Sequence, residues 1–358
     1  MTPDASGSPA RLFRFLDALR AAAAWLVVWD HLLCAYPERW KLPMPLVDWV
    51  NAHVNQPLGI IQNFGWYGVC LFFLISGFVI THAALHESPR AFVVRRLFRI
   101  YPMVAVALAL GLLLEPPTRA LATPESVLAA LLLVNYWISP QVVLIGVAWT
   151  LAVEMLFYAL ILATHALGRR PALRLALLLG LVSLALAFCR EFGPHFFLVA
   201  ATAAYLPFLL VGQLMYVVGH QRAVGVKAGL LLGVAVYAVM LQGLREVHTV
   251  FLPLDNSYLI TFAWSLCTFL LAWRLEERLR PGRATRLLAD TSYSLYLLHG
   301  IVGVAVLDRL VPLTGYWPAL AVALAVVAAV VLALHRWVER PLQDLGRRLS
   351  SPVRPPAA

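Results

Sequence analysis

Charge is what this chain of 358 residues has least of. Asp, Glu, Lys and Arg together make up 13% of it, while hydrophobic side chains make up 61%. That balance excludes an ordinary soluble globule and points to repeated membrane spans. Cysteine is scarce too. Cys34, Cys70, Cys189 and Cys267 stand singly in or beside apolar segments. With no CxxC or Cys/His ligand spacing, they read as packed thiols and no metal site is expected. No internal repeat is visible, so the inverted-repeat signature of many secondary transporters is missing. Acidic residues number 18 against 28 Lys and Arg. The basic residues come in short clusters between apolar runs, the pattern of cytoplasmic loops, and no nucleic-acid partner is expected.

The hydrophobic stretches lie at about 15–36, 66–86, 100–115, 125–139, 147–167, 172–189, 196–218, 225–244, 256–274, 290–311 and 316–338. The fourth is bounded by Pro124 and Pro140 and carries Glu125 and Asn135. It is too short for the roughly 20 residues that cross a bilayer upright, and it reads as interfacial or re-entrant. With ten spans and both termini inside, 22 of the 28 Lys and Arg fall on the cytoplasmic side, as the positive-inside rule favours. The expected fold class is all-α: a polytopic membrane helix bundle of about ten transmembrane helices plus one short interfacial or re-entrant helix, N-in and C-in. It forms a single integral-membrane domain over 1–344, followed by a disordered cytoplasmic tail over 345–358. The first run holds Asp17, Arg20, Asp30 and His31, unlike a cleaved signal, and is expected to stay as the first span. The loops at about 37–65 and 116–146 are too short for cores of their own and are expected to fold over the outer mouth of the bundle.

Ionisable residues inside such spans are costly, roughly 2.5–3.5 kcal/mol at the bilayer centre, and those that persist usually take part in function. Arg20 and His31 lie in the first span, eleven residues apart. At 100° per residue that spacing brings His31 to within about 20° of Arg20 on the helix surface, displaced about 16 Å along the axis. The second span carries Ser76-Gly77, a pair that kinks a helix or lets another backbone approach. It leads to Arg95, Arg96 and Arg99. Arg96 and Arg99 share a helix face, suited either to bidentate phosphate recognition or to anchoring the topology. Glu154 lies two turns into an apolar helix that starts near Trp149, with Tyr158 one turn beyond it. Such an acid is expected to be neutral or paired, binding a ligand or tying two helices. Tyr296 and His299 occupy neighbouring positions near the end of the chain. The run His335 to Pro341 reads as a helix stop, with Glu339 and Arg340 pairing in the basic inner rim.

Six segments, taken in order, resemble the acyltransferase family 3 membrane proteins. They are Arg20 and His31 with ten residues between them; Gly68-Val-Cys-Leu-Phe-Phe-Leu-Ile-Ser-Gly-Phe78; Arg96-x-x-Arg99-Ile-Tyr-Pro102; Trp149-Thr-Leu-Ala-Val-Glu154 with Phe157-Tyr158; Ser292 to His299; and Glu339-Arg-Pro341. Cys70, Ala18, Ala21 and Met155 stand where the family more often has Asp, Gly, Gly and a second acid. The resemblance implies a multi-pass protein of a bacterial inner (cytoplasmic) membrane that moves an acyl group, acetyl above all, from cytoplasmic acyl-CoA to a hydroxyl of an extracytoplasmic acceptor. That acceptor would be a cell-surface or lipid-linked glycan. Acetyl-CoA would serve as donor substrate with no tightly bound cofactor, and membrane lipids would be the other partners.

Within that reading His31, Arg20 and Glu154 carry the chemistry, and Arg95, Arg96, Arg99, Ser76, Trp149, Tyr158 and His299 bind substrate. His31 acts as general base or as acyl carrier. The alternative is a multipass transporter or flippase that uses the same buried groups without forming a bond.

Overall fold

The computed structural model describes residues 13–248 and 257–350, and these are helical or irregular, with no strand among them. The organising helices are α1 (Arg14–Val28), α2 (Gly65–His86), α3 (Pro89–Leu114), α4 (Pro124–Leu131), α5 (Trp149–Ala163), α6 (Pro171–Ala187), α7 (Gly193–His220, with a turn at 204–205), α8 (Val226–Gly243), α9 (Ser257–Arg274), α10 (Arg283–Thr314), α11 (Tyr316–Leu334) and α12 (Arg340–Ser350). Among the described residues, eight helical stretches are long and apolar enough to cross a membrane. With α6, an apolar helix of 17 residues, and α9, of 18, the ten expected spans all appear as helices. The doubtful fourth stretch forms only the eight-residue α4 and a 3-10 turn at Asn135–Trp137. At about 1.5 Å per residue, α4 is far too short to cross.

The chain forms two compact units, over described residues 13–75 with 257–293 and 76–248 with 294–350. In the first unit, the Glu276 carboxylate accepts hydrogen bonds from the backbone N–H of Arg14 at 2.7 Å and of Phe15 at 2.9 Å. A carboxylate there satisfies the orphan donors and the positive end of the α1 dipole. The fully buried ring of Phe15 lies 5.3 Å edge-on to Phe269 and 6.2 Å from Trp273. Glycine in α2 permits close approach to the first span. A Cβ at Gly65 would fall 2.1 Å from Asp30 Oδ2, and one at Gly68 would fall 2.8 Å from the Ala23 carbonyl oxygen. The segment before α2 is pinned to α9: Trp264 Nε1 donates to the Leu58 carbonyl at 3.0 Å and the Ile61 N–H to Thr261 Oγ1 at 3.1 Å. Cys34, Cys70 and Cys189 are buried as expected, whereas Cys267 is exposed, because its face of α9 is uncovered.

In the second unit Gly77 allows α2 to meet α7 at backbone contact, since a Cβ there would lie 1.9 Å from the Leu209 carbonyl oxygen. Arg174, expected among the basic loop residues, is instead turned inward and 2% exposed. It donates from Nη2 to the Ile161 carbonyl at 2.6 Å and from Nε to Thr164 Oγ1 at 3.0 Å. The cation thereby closes the C-terminal end of α5, where unpaired carbonyls concentrate negative charge.

The end of the chain departs from expectation twice. Pro341 does not stop the last helix. The chain passes through a π-helical turn, His335–Glu339, into α12, where Pro341 falls in the first turn and its missing N–H costs nothing. Glu339 does not join a basic rim either. It is 3% exposed and accepts from Ser294 Oγ at 2.5 Å and Gln343 Nε2 at 3.0 Å, with His335 Nδ1 at 2.9 Å. Residues 345–350 of the expected disordered tail are helical because α12 packs on α3. Gly346 sits so close that a Cβ would fall 2.6 Å from Phe98 Cβ, and Arg95 Nε donates to Ser350 Oγ at 2.9 Å. Residues 351–358 lie outside the described residues.

Candidate functional site

The densest group of expected site residues lies in the second unit, where α2 turns into α3. Ser88 caps α3 by accepting from the Ala91 N–H at 3.3 Å, and Pro89 opens the helix. Glu87, in the link just before that cap, reaches two turns up α3. Its carboxylate accepts from Arg95 Nη1 at 3.0 Å and from Arg96 Nη1. Arg96 also lays its guanidinium over the Phe92 ring, 4.2 Å from the centroid. Phe92 in turn meets Tyr158 of α5 edge-on at 5.7 Å, and the Tyr158 hydroxyl donates to Glu154 Oε1. Both Arg96 and Arg99 lie within electrostatic reach of that hydroxyl.

The structure therefore brings together Arg95, Arg96, Arg99, Glu154 and Tyr158. It adds Glu87 and Phe92, which the sequence reading missed. Three guanidiniums stand against the two carboxylates of Glu87 and Glu154, and Glu87 holds Arg95 and Arg96. Planar Arg forks suit phosphate oxygens, and Glu87 fixes two of them in advance.

Trp149 opens α5 with its ring 4.8 Å from Tyr205. Beside it, Tyr296 donates to the Val147 carbonyl at 3.1 Å and lies 3.0 Å from Thr150 Oγ1. His299 is fully buried, and its Nδ1 donates to the Leu295 carbonyl at 3.0 Å. A carbonyl only accepts, so Nδ1 carries the proton. Ser76 is half-buried next to the Gly77 crossing point. His82, one turn before His86, has Nδ1 2.9 Å from the Tyr216 hydroxyl.

Arg20 and His31 belong to the first unit. Arg20 is half-buried on α1, one turn after the buried Asp17. His31 does not continue the α-helix: Trp29–Ala35 is a π-helical segment. The i to i+5 bonding widens the turn on which His31 sits. Such π-turns often accompany function. This one sets Asp30 beside His31, with Oδ2 3.9 Å from Nε2. The His31 side chain is 36% exposed against 16% for Asp30, so the imidazole is reachable while the carboxylate is sheltered. Asp30 was legible only as a charge inside a span. Its placement depends on Gly65, whose Cβ would overlap it.

The sequence profile of a family described as an acyltransferase domain matches residues 13–336. The exopolysaccharide production protein ExoZ of Rhizobium meliloti (strain 1021) is 28% identical over 310 residues, covering 82% of this chain and 95% of that protein. The acyltransferase MdmB of Streptomyces mycarofaciens is 27% identical over 342 residues, covering 83% of this chain and 86% of that protein. No solved structure matches significantly.

Proposed function

The chain belongs to acyltransferase family 3, and from that membership we propose that it is a membrane O-acyltransferase acting on a glycan hydroxyl, with acetyl-CoA as donor. The observation that carries the donor assignment is the cluster of Arg95, Arg96 and Arg99, the first two of them ordered by Glu87. A family that transfers acyl groups needs an activated donor, and a donor bearing several phosphates fits guanidiniums held in place beforehand. A transporter without bond formation needs no activated donor. The positive-inside count supports a cytoplasmic side for these arginines, the side on which acyl-CoA would be met in a bacterial inner membrane. The glycan acceptor is supported by the exopolysaccharide role named for one relative.

The chemistry assigned to His31 is removal of the acceptor's hydroxyl proton as the oxygen attacks the thioester carbonyl. The carbon–sulfur bond breaks, an ester forms, and the departing thiolate takes up a proton to leave as the free thiol. General-base catalysis of this kind typically contributes about 10²–10⁴-fold. Arg20 assists with donor phosphate, Ser76 with the pantetheine arm, and Glu154, Tyr158, Trp149 and His299 with binding of the substrates.

The test is purified protein in liposomes with labelled acetyl-CoA and surface-glycan oligosaccharides. Covalent label on the glycan supports the reading, and movement of either molecule without a new bond overturns it.

A further inference from the structure

At the junction of α11 and α12, within the second unit, a cavity of about 570 Å³ opens among Arg336, Trp337, Arg340, Asp344, Leu345 and Arg348. Its charge is unbalanced. Asp344 is already paired with Arg347, and Glu339 is turned into the core, where it accepts from Ser294 and Gln343. Arg340 and Arg348 lie within electrostatic reach of Asp344, but neither they nor Arg336 make a hydrogen bond or salt bridge among the described residues, and three exposed guanidiniums surround one hollow against a single carboxylate.

The apolar side chains there are equally unusual. Trp337 is 72% exposed, Leu345 in the same lining is uncovered, and so is Leu349 one turn further along α12. α12 is strongly amphipathic, and its opposite side, at Gly346, is already spent on Phe98 of α3. Directly after an apolar helix such as α11, an amphipathic segment with Arg on its polar side and exposed Trp and Leu has the chemistry of the membrane–water interface. Trp settles at headgroup level, and basic residues adjoining a span attract anionic lipid.

We propose that this hollow binds the phosphate headgroup of an anionic phospholipid, with Arg336, Arg340 and Arg348 around the phosphate and Trp337 against the glycerol and upper acyl chain. Charge complementarity selects an anionic over a zwitterionic lipid. The exposed Trp and Leu select a lipid over a soluble polyphosphate, which would leave them in water.

The test is lipid retention by the full-length protein, read by native mass spectrometry after release from nanodiscs of mixed phosphatidylglycerol and phosphatidylcholine. The wild type is expected to retain phosphatidylglycerol preferentially. The triple variant R336Q/R340Q/R348Q is expected to lose that preference by about tenfold or more, given the worth of each basic residue near an anionic surface. The matching triple Lys variant, which keeps the charge, is expected to retain most of it. A thermal unfolding midpoint equal to the wild type's shows that the Gln variant is folded. R96A/R99A protein should retain lipid like the wild type, which separates this site from the donor site. The proposal is overturned if the folded Gln variant keeps the preference or if the wild type shows none. It is also overturned if inorganic pyrophosphate displaces the lipid and binds with the same dependence on the three arginines.

Discussion

Arg96 stacks 4.2 Å above the ring of Phe92 while sharing the Glu87 carboxylate with Arg95. The guanidinium is thus held from two directions, with one face on an aromatic ring and its N–H edge on an acid. A stacked, forked arginine is not replaceable by lysine.

Removing these cations should separate donor from acceptor binding. R96A and R99A are each expected to weaken acetyl-CoA affinity about tenfold or more, the worth of a charge-assisted hydrogen bond to phosphate. R96K should recover only part of it. Acceptor affinity should stay within about twofold. Titration of the purified protein with labelled donor and with oligosaccharide checks both; an unchanged donor affinity would return the two arginines to topology anchors.

Glu87 competes with the donor for Arg95 and Arg96. E87Q keeps the shape but removes the negative charge, so acetyl-CoA binding is expected to tighten several-fold at low salt, with the gain fading as ionic strength rises. Weaker donor binding by E87Q would mean that its ordering of Arg95 and Arg96 outweighs this competition.

Gly77 tests the packing of α2. Its missing Cβ would overlap the Leu209 carbonyl oxygen at 1.9 Å, a backbone atom that cannot rotate aside. G77A is expected to cost about 1–3 kcal/mol through overpacking, seen as a lowered thermal unfolding midpoint in detergent. An unchanged midpoint would mean that the two helices are free to separate.

Arg174 tests a buried cation outside the donor site. R174M removes the donors that satisfy the Ile161 carbonyl and Thr164 Oγ1. The expected loss is about 2 kcal/mol, with donor affinity unchanged. Thermal unfolding and donor titration on the same preparation check the pair; weakened donor binding by a fully stable R174M would place Arg174 in the site.

The spans were legible because long apolar runs have few alternatives to a helix, and the short fourth stretch was legible for want of length. The shared face of Arg96 and Arg99 followed from three-residue spacing, and the close approach at Ser76-Gly77 from the missing side chain of Gly77. Partnership between distant residues was not legible. Glu276 caps α1 from 262 positions away, and no local pattern announces that contact. Glu87 drew no reading from the sequence, because its reach to Arg95 and Arg96 depends on how α3 starts. The π-turn at Trp29–Ala35 has no composition signature, so the Asp30–His31 pair came only from the backbone. Glu339 and Pro341 were misread together: a proline ends a helix only when it is not already in the first turn of the next.

The central claim is that His31 takes the proton from the acceptor hydroxyl. The most direct measurement is the rate of labelled acetyl transfer to glycan by H31A protein that unfolds at the same temperature and binds acetyl-CoA as tightly as the wild type. The account predicts a rate lower by about 10²–10⁴-fold. Transfer at the wild-type rate would contradict it.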